Sequence, residues 1–450
     1  MSLADAVNKG EGDRSYSPQY RWYVVLLLTL AYTMYTADRI LLGVLLEPIK
    51  TEFGASDSQM GFVSLMAAST YALSIIPLGL LADRVNRRNL LFIILSGWSI
   101  MTAVSGFAKN LIHLAVAQML VTTNEGGGAP TMNSLISDLF ERSKRGLPIS
   151  IWYCGISMGA FIGFSLGGFL ADSYGWRITF ILLGAPGALI ALIVLLTIRE
   201  TPRGMSDQVA PDRASRPDFA GTVDFLKRQK ALRHAIYAQC LSGLSFMGPI
   251  AWLVSFFHRS HDASFALAGF VTGLIFLTTG LSSGPAGGFL MDHLGRKDVR
   301  WHGWLCALLM VSGGLFFGSI YLVPSLLMAF VAVAVWQLLT NAVSPITVAM
   351  ISNLAPAHFR GLSLSLGFLL FHLFGFGLGS QLIGLVSDWL ANERGLNEAD
   401  ALRYACMVPV IFHLWAAWHF RIVARNAPDG YRRAAAMEQS APPSGAEAAL

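Results

Sequence analysis

The sequence predicts an all-α polytopic membrane protein of about twelve transmembrane helices in two six-helix pseudo-symmetric halves. Three observations carry this. Of 450 residues 54% are hydrophobic and 13% charged, roughly half the charge of a soluble domain, and mean hydropathy is +0.54. The apolar residues gather in blocks of roughly 20, long enough to cross ~30 Å of hydrocarbon as helices. Lys and Arg fall almost wholly on one side of those blocks. The same composition excludes a disordered or fibrous chain. The net charge of +5 is loop charge rather than a nucleic-acid surface.

Apolar blocks between charged breaks place spans near 21–48, 60–82, 89–108, 111–138, 147–172, 178–198, 232–257, 265–291, 301–321, 325–354, 361–388 and 402–421. Residues 1–20 form a polar tail, and the first block starts too far in for a signal peptide. With the N-terminus inside, 25 Lys and Arg fall in cytoplasmic segments and 6 outside, with Arg39 alone within span 1. That asymmetry predicts a cytoplasmic (inner) membrane protein with both termini cytoplasmic. Residues 21–198 form the N-terminal half and 232–425 the C-terminal half. The polar stretch 199–231, with Pro202, Pro211 and Pro217, reads as a cytoplasmic linker, and 426–450 as a disordered tail. The four cysteines lie far apart in apolar blocks and are expected to be buried free thiols.

Internal repeats support the two halves. GLLADRVNRR (Gly79 to Arg88) after span 2 matches GFLMDHLGRK (Gly288 to Lys297) after span 8 at an offset of 209. Arg145-Gly146 matches Arg360-Gly361 at 215, and the GFLAD ending at Asp172 matches the GLVSD ending at Asp388 at 216. Two parallel six-helix repeats around a cavity are a secondary-transporter plan, one half rocking on the other.

Asp38, Arg39 and Glu125 are the ionisable residues deepest in the spans. At 1.5 Å per residue Asp38 lies ~18 Å along span 1 from Lys50, and Glu125 ~21 Å along span 4 from Leu111, both near the midplane. A charge there costs ~2.5–3.5 kcal/mol, so it faces a cavity or a partner. A clamp that only packs helices is one reading. The other is proton coupling, two carboxylates sharing one cation so that one takes a proton.

GLLADRVNRR resembles the loop signature of the major facilitator superfamily, with GFLMDHLGRK where that family has its second copy. A finer resemblance is to its Spinster-like branch, through the Asp38-Arg39 pair, GVLLEPI, KTEFGASDSQMG, DRVNRR, the glycine run of span 5 and Gly175-Trp176-Arg177. The family's fourth-span Arg-x₆-Glu pattern runs here from Gln118 to Glu125, with Gln118 in the Arg position and Thr122-Thr-Asn124 in place of Gly-x-Gly. The resemblance implies a secondary active transporter with alternating access, proton coupling and an amphipathic, anionic or lysolipid-like cargo. The missing cation at Gln118 suggests instead an importer or exporter of a small organic acid or peptide. A non-transporting receptor on the same fold is the rival from another class. The expected partners are a small organic or lipid-like solute, protons and the bilayer, with no nucleic acid and no cofactor, and the chain is expected to work as a monomer.

Gly79, Asp83, Arg84, Arg87 and Arg88, with Asp292 and Arg296, read as conformational gates, Asp83 standing where span 2 ends. Their plainer role is to hold the loops inside. Gly155, Gly159, Gly163 and Gly167 recur every four residues on span 5, and Gly273, Gly280, Gly284 and Gly375, Gly377, Gly379 enrich spans 8 and 11. Such glycines pack backbones closely. Gln118, Asn124, Trp152, Tyr153, Gln239, Trp252, Trp336, Gln337, Asn341 and His372 are polar or aromatic at mid-span and are candidate cavity residues, each equally able to be a packing partner. Gly155-Ile-Ser157-Met-Gly159 fits G-x-S-x-G but lies inside an apolar helix, where no nucleophile elbow forms. No Gly-Lys dipeptide and no metal-ligand cluster occur, so no enzyme activity is expected.

Overall fold

A computed structural model describes residues 16–82, 84–202 and 219–440. Ten of its helices are long and apolar enough to cross a membrane. One of them, Gly146–Thr197, breaks at Gly175 (φ 78°) and makes two spans. Leu111–Glu125 and Gly128–Leu139, meeting at Gly126-Gly127, make one more. Span 1 is Pro18–Val44, started by the Ser17 hydroxyl accepting from the Tyr20 amide, with Pro18 in the first turn. A short helix, Leu46–Phe53, leads to span 2, Asp57–Ala82. Span 3 is Arg87–Ser105, capped by Asn86. In the second half span 7 is Lys230–His261, span 8 Phe265–Gly295 and span 9 Trp301–Leu322. Span 10 is Leu326–Asn341 with Val343–Leu354. Span 11 runs through Ala357–His372, a π-helical turn Leu373–Gly379 and Ser380–Arg394. Span 12 is Val410–Ser440.

Three apolar cores form. The one at the end of the spans away from the termini draws on both halves, joining Leu41, Val44 and Phe164 to Trp252, Phe256 and Phe276. At the termini end there are two separate cores, one within spans 1–6 around Leu91, Trp98 and Leu135, the other within spans 7–12 around Leu232, Met350 and Phe420. The halves therefore share a core at the far end and part toward the termini.

Two expectations need correction, the disordered tail and the burial of all four cysteines. Residues 426–440 are helical and docked: Tyr431 hydrogen-bonds His302 at 3.1 Å, the Gln229 amide donates to the Gly430 carbonyl at 3.0 Å, and Ala434 is buried. The stretch is rich in alanine and other strong helix formers, so it continues span 12. Residues 441–450 and the middle of the expected linker, 203–218, lie outside the described residues, and Phe219–Arg228 within that linker is a helix. Cys306 and Cys406 are buried free thiols, whereas Cys154 and Cys240 are half-exposed because their helix faces are not fully packed.

Candidate functional site

Tyr35 and Arg39 stand one helical turn apart on span 1 and share a face. The Arg39 guanidinium donates to the Tyr35 hydroxyl at 2.8 Å, and that hydroxyl donates to Tyr71 of span 2 at 3.0 Å. The guanidinium carbon lies 4.3 Å from the Tyr71 ring centre and 4.9 Å from that of Phe376. Glu125 of span 4 comes within 3.8 Å of Arg39. It is 1% exposed, and neither carboxylate oxygen accepts a hydrogen bond from a described residue. A cavity of about 60 Å³ opens between these groups, lined by Asp38, Arg39, Gln118 and Glu125 on one side and by Ile250, Ala251 and Phe376 of the other half.

The structure brings Arg39 and Glu125 together but not Arg39 and Asp38. Adjacent residues on a helix point ~100° apart, and the Asp38 carboxylate turns to span 3, where the Thr102 hydroxyl donates to it. The expectation that both acids share Arg39 is corrected to one acid on the cation and one on a hydroxyl. Gln118 lines the cavity and donates to Ser105 at 3.0 Å. His372 stands beside Tyr71, ring centres 5.4 Å apart, its Nδ1 on the Phe368 carbonyl.

The remaining cavity candidates lie elsewhere. Trp152 is buried against Tyr32 at 4.5 Å, and Tyr153 is half-exposed at its edge. Asn124 bonds back to the Leu120 carbonyl and fills the space beside Gly97. Trp252 donates to Ser380, clamping span 7 to span 11. Trp336 donates to His413 at 3.1 Å inside the second half. Gln337 and Asn341 bond each other, and Gln239 packs under Gly367. Tyr153 aside, each is held within its own half, by a bond inside its helix (Asn124, Gln337 with Asn341), by a bond to another helix (Trp252, Trp336) or by packing (Trp152, Gln239). Tyr35, Tyr71, Thr102 and Phe376 were missed. The Tyr35–Arg39 spacing of four was the signal available for the first.

Around this centre the two ends of the seam between the halves differ. At the far end Arg259 of span 7 reaches Glu47 (2.7 Å) and Asp57 (2.7 Å), Lys50 bridges Asp57 (3.0 Å) and Glu398 (2.9 Å), and Asp388 accepts from the Asp57 and Ser58 amides. Asp172 at the end of span 5 accepts from the Phe265 and Ala266 amides at the start of span 8. At the termini end Arg84, Asp292 and Arg296 are exposed, and Gly79, Gly284 and Gly288 have open space where a Cβ would stand. Arg87 is 1% exposed and bonds Asp138 and Ser134 of span 4 and Glu200 and Thr201 at the start of the linker, while the Arg88 amide donates to Glu200. Arg87, read from the sequence as part of a gate, is thus bonded to span 4 and to the segment that follows span 6. Asp83 lies outside the described residues.

Twelve spans, two halves and a charged cavity between them define a polytopic transporter of small solutes. A family model for the Major Facilitator Superfamily matches residues 28–390, and the chain belongs to that family. It is 26% identical over 419 residues to a D-galactonate transporter of Escherichia coli O6:H1, covering 87% of this chain and 93% of that one. It is 23% identical to a sphingosine-1-phosphate transporter of Danio rerio, over 81% of this chain and 76% of that one. Its fold matches the crystal structure of a bacterial homolog of the human lysosomal transporter Spinster, inward-facing and unoccupied, with TM-score 0.83, 26% identity and coverage of 92% and 99%.

Proposed function

We propose that the protein is a proton-coupled secondary transporter that moves an amphipathic or anionic organic solute by alternating access, working as a monomer in the inner membrane with both termini cytoplasmic. The observation that carries this is Glu125: a carboxyl group 1% exposed, 3.8 Å from Arg39, with no hydrogen bond to either oxygen among the described residues, at the wall of the cavity between the halves. A buried carboxylate with one loose ion pair is expensive to keep charged, so a proton is the cheapest partner it can take. Asp38, held by Thr102, is the second acid of the same centre. With the termini cytoplasmic, the sealed far end makes this the cytoplasm-open state. Arg39 as the one cation among the described cavity residues, Gln118 on the same wall and the similarity to a D-galactonate transporter favour a small organic acid as the second reading of the cargo.

The test is flux into proteoliposomes. Asp38→Asn and Glu125→Gln should each abolish accumulation driven by a pH gradient, by about 100-fold or more, while binding or exchange persists. Accumulation at the parental level in both variants would remove the proton site from this centre. Binding with no flux in the parent would make the protein a receptor.

A further inference from the structure

Arg39 is held on three sides by its own half, through Tyr35, Tyr71 and Glu125. Its fourth neighbour, Phe376, belongs to the other half and covers one face of the guanidinium at 4.9 Å while Tyr71 lies 4.3 Å away. A cation near aromatic faces in a dry site is held by the ring quadrupole. Phe376 sits in the π-helical turn Leu373–Gly379. Such turns admit one extra residue and occur mostly at functional sites. Continuation as an α-helix would rotate the ring by roughly 100° per residue of slip, away from Arg39.

The glycines around Phe376 fix that turn. A Cβ on Gly375 would meet the Gly243 carbonyl at 2.8 Å and Met247 at 2.9 Å, both on span 7. One on Gly379 would meet Gly248 at 3.1 Å, also on span 7. One on Gly377 would meet Leu65 at 3.0 Å and Ala68 at 3.1 Å, on span 2 of the opposite half. The alternating glycines thus seat the turn on span 7 and lean it on span 2. This is also where the closed seam between spans 2 and 11 gives way, since it runs from Asp57–Asp388 past Gly61–Gln381 to Tyr71–His372, and beyond it Gly79 and Gly361 have open space.

We infer that Phe376 is a positioning residue that couples the charge of the Arg39–Glu125 centre to the closure of the far seam. The inference rests on the proton-coupled reading above. Opening the far seam parts span 11 from span 2 and withdraws the ring from Arg39. The guanidinium then depends on a charged carboxylate for compensation, so the deprotonated centre tolerates the open seam. The protonated centre keeps the seam shut, because only then does Arg39 have Phe376. The titratable and charged groups facing the centre are Asp38 and Tyr35 from span 1, Tyr71 from span 2, Glu125 from span 4 and His372 from span 11. His372 stands beside Tyr71 and also lies within electrostatic reach of Arg39, so a response retained in His372→Gln supports Glu125 as the titrating group and one lost overturns it.

The experiment measures the distance between spin labels on Thr51 and Glu393, which are exposed at the far ends of the two halves, at about pH 5.5 and about pH 8. The parent should shift toward the longer distance as pH rises. Phe376→Leu should reduce that shift about three- to ten-fold, while Phe376→Trp retains it. A Phe376→Leu shift equal to the parent's overturns this inference and leaves the proton reading standing. A parent with no pH response, alongside flux that ignores a pH gradient, overturns both. Loss of the shift in Phe376→Trp as in Phe376→Leu, with both folded, means volume rather than the aromatic face is what matters and also overturns it.

Discussion

The far end and the termini end of the inter-half seam are built from equivalent positions of two repeats, yet they are opposite in character. At the far end each approach is tight and each buried charge has a partner across the seam. A Cβ on Gly168 would meet the Phe265 carbonyl at 2.1 Å, and one on Gly269 the Phe164 carbonyl at 2.2 Å. At the termini end the corresponding glycines face open space and the signature charges are exposed or tied within one half. Small residues and paired charges therefore mark where the halves can meet. The occupied contacts show which end is shut.

The strongest way to break this contrast is Arg259→Met. Its guanidinium is enclosed by Glu47 and Asp57, with side-chain exposures of 6%, 11% and 4%. Leaving Glu47 buried without its cation, with Lys50 alone on Asp57, costs about 3–5 kcal/mol. The sealed state should lose roughly 100-fold or more in population, read as a lengthened Thr51–Glu393 spin-label distance. An unchanged distance would mean that the ion pairs do not hold the seam.

Gly168→Val should act in the same direction more weakly, by about 1–3 kcal/mol, whereas Gly288→Ala should stay within about 0.5 kcal/mol. The two glycines open similar Gly-Phe-Leu stretches at opposite ends of the seam, so equal effects would erase the distinction between the ends. The smallest effect is expected of Arg296→Ala, an exposed charge with no ion pair among the described residues. It should leave the sealed population within about two-fold in the same measurement.

Most of the span plan was legible in the sequence because hydrocarbon thickness and loop charge act on each span separately. Arg39 and Glu125 were legible for the same reason, as charges at a depth where charge is costly. The far-side network was not. Lys50, Asp57 and Arg259 stand at span ends where charges are ordinary, and their partners are far off in the chain, 202 residues for Arg259–Asp57 and 348 for Lys50–Glu398. Trp336 looked like a cavity residue because its partner, His413, is 77 residues away on another helix. Arg87 looked like a gate because nothing local shows that Glu200 and Thr201 fold beneath it.

At Gly175 the chain passes from span 5 to span 6 through a single residue in left-handed conformation, φ 78°, with no loop between them. Trp176 and Arg177 follow at once, bonded to Glu52. An epitope inserted there would have to unwind two helices. The stretch around Gly395 differs: there the backbone turns at φ 67°, the helix ends at Arg394, and residues 392–395 are exposed. That stretch adjoins Glu398, the partner of Lys50, so a binder seated on it would bear on the Lys50–Glu398 bridge from outside and report, by its own affinity, whether the seam is shut.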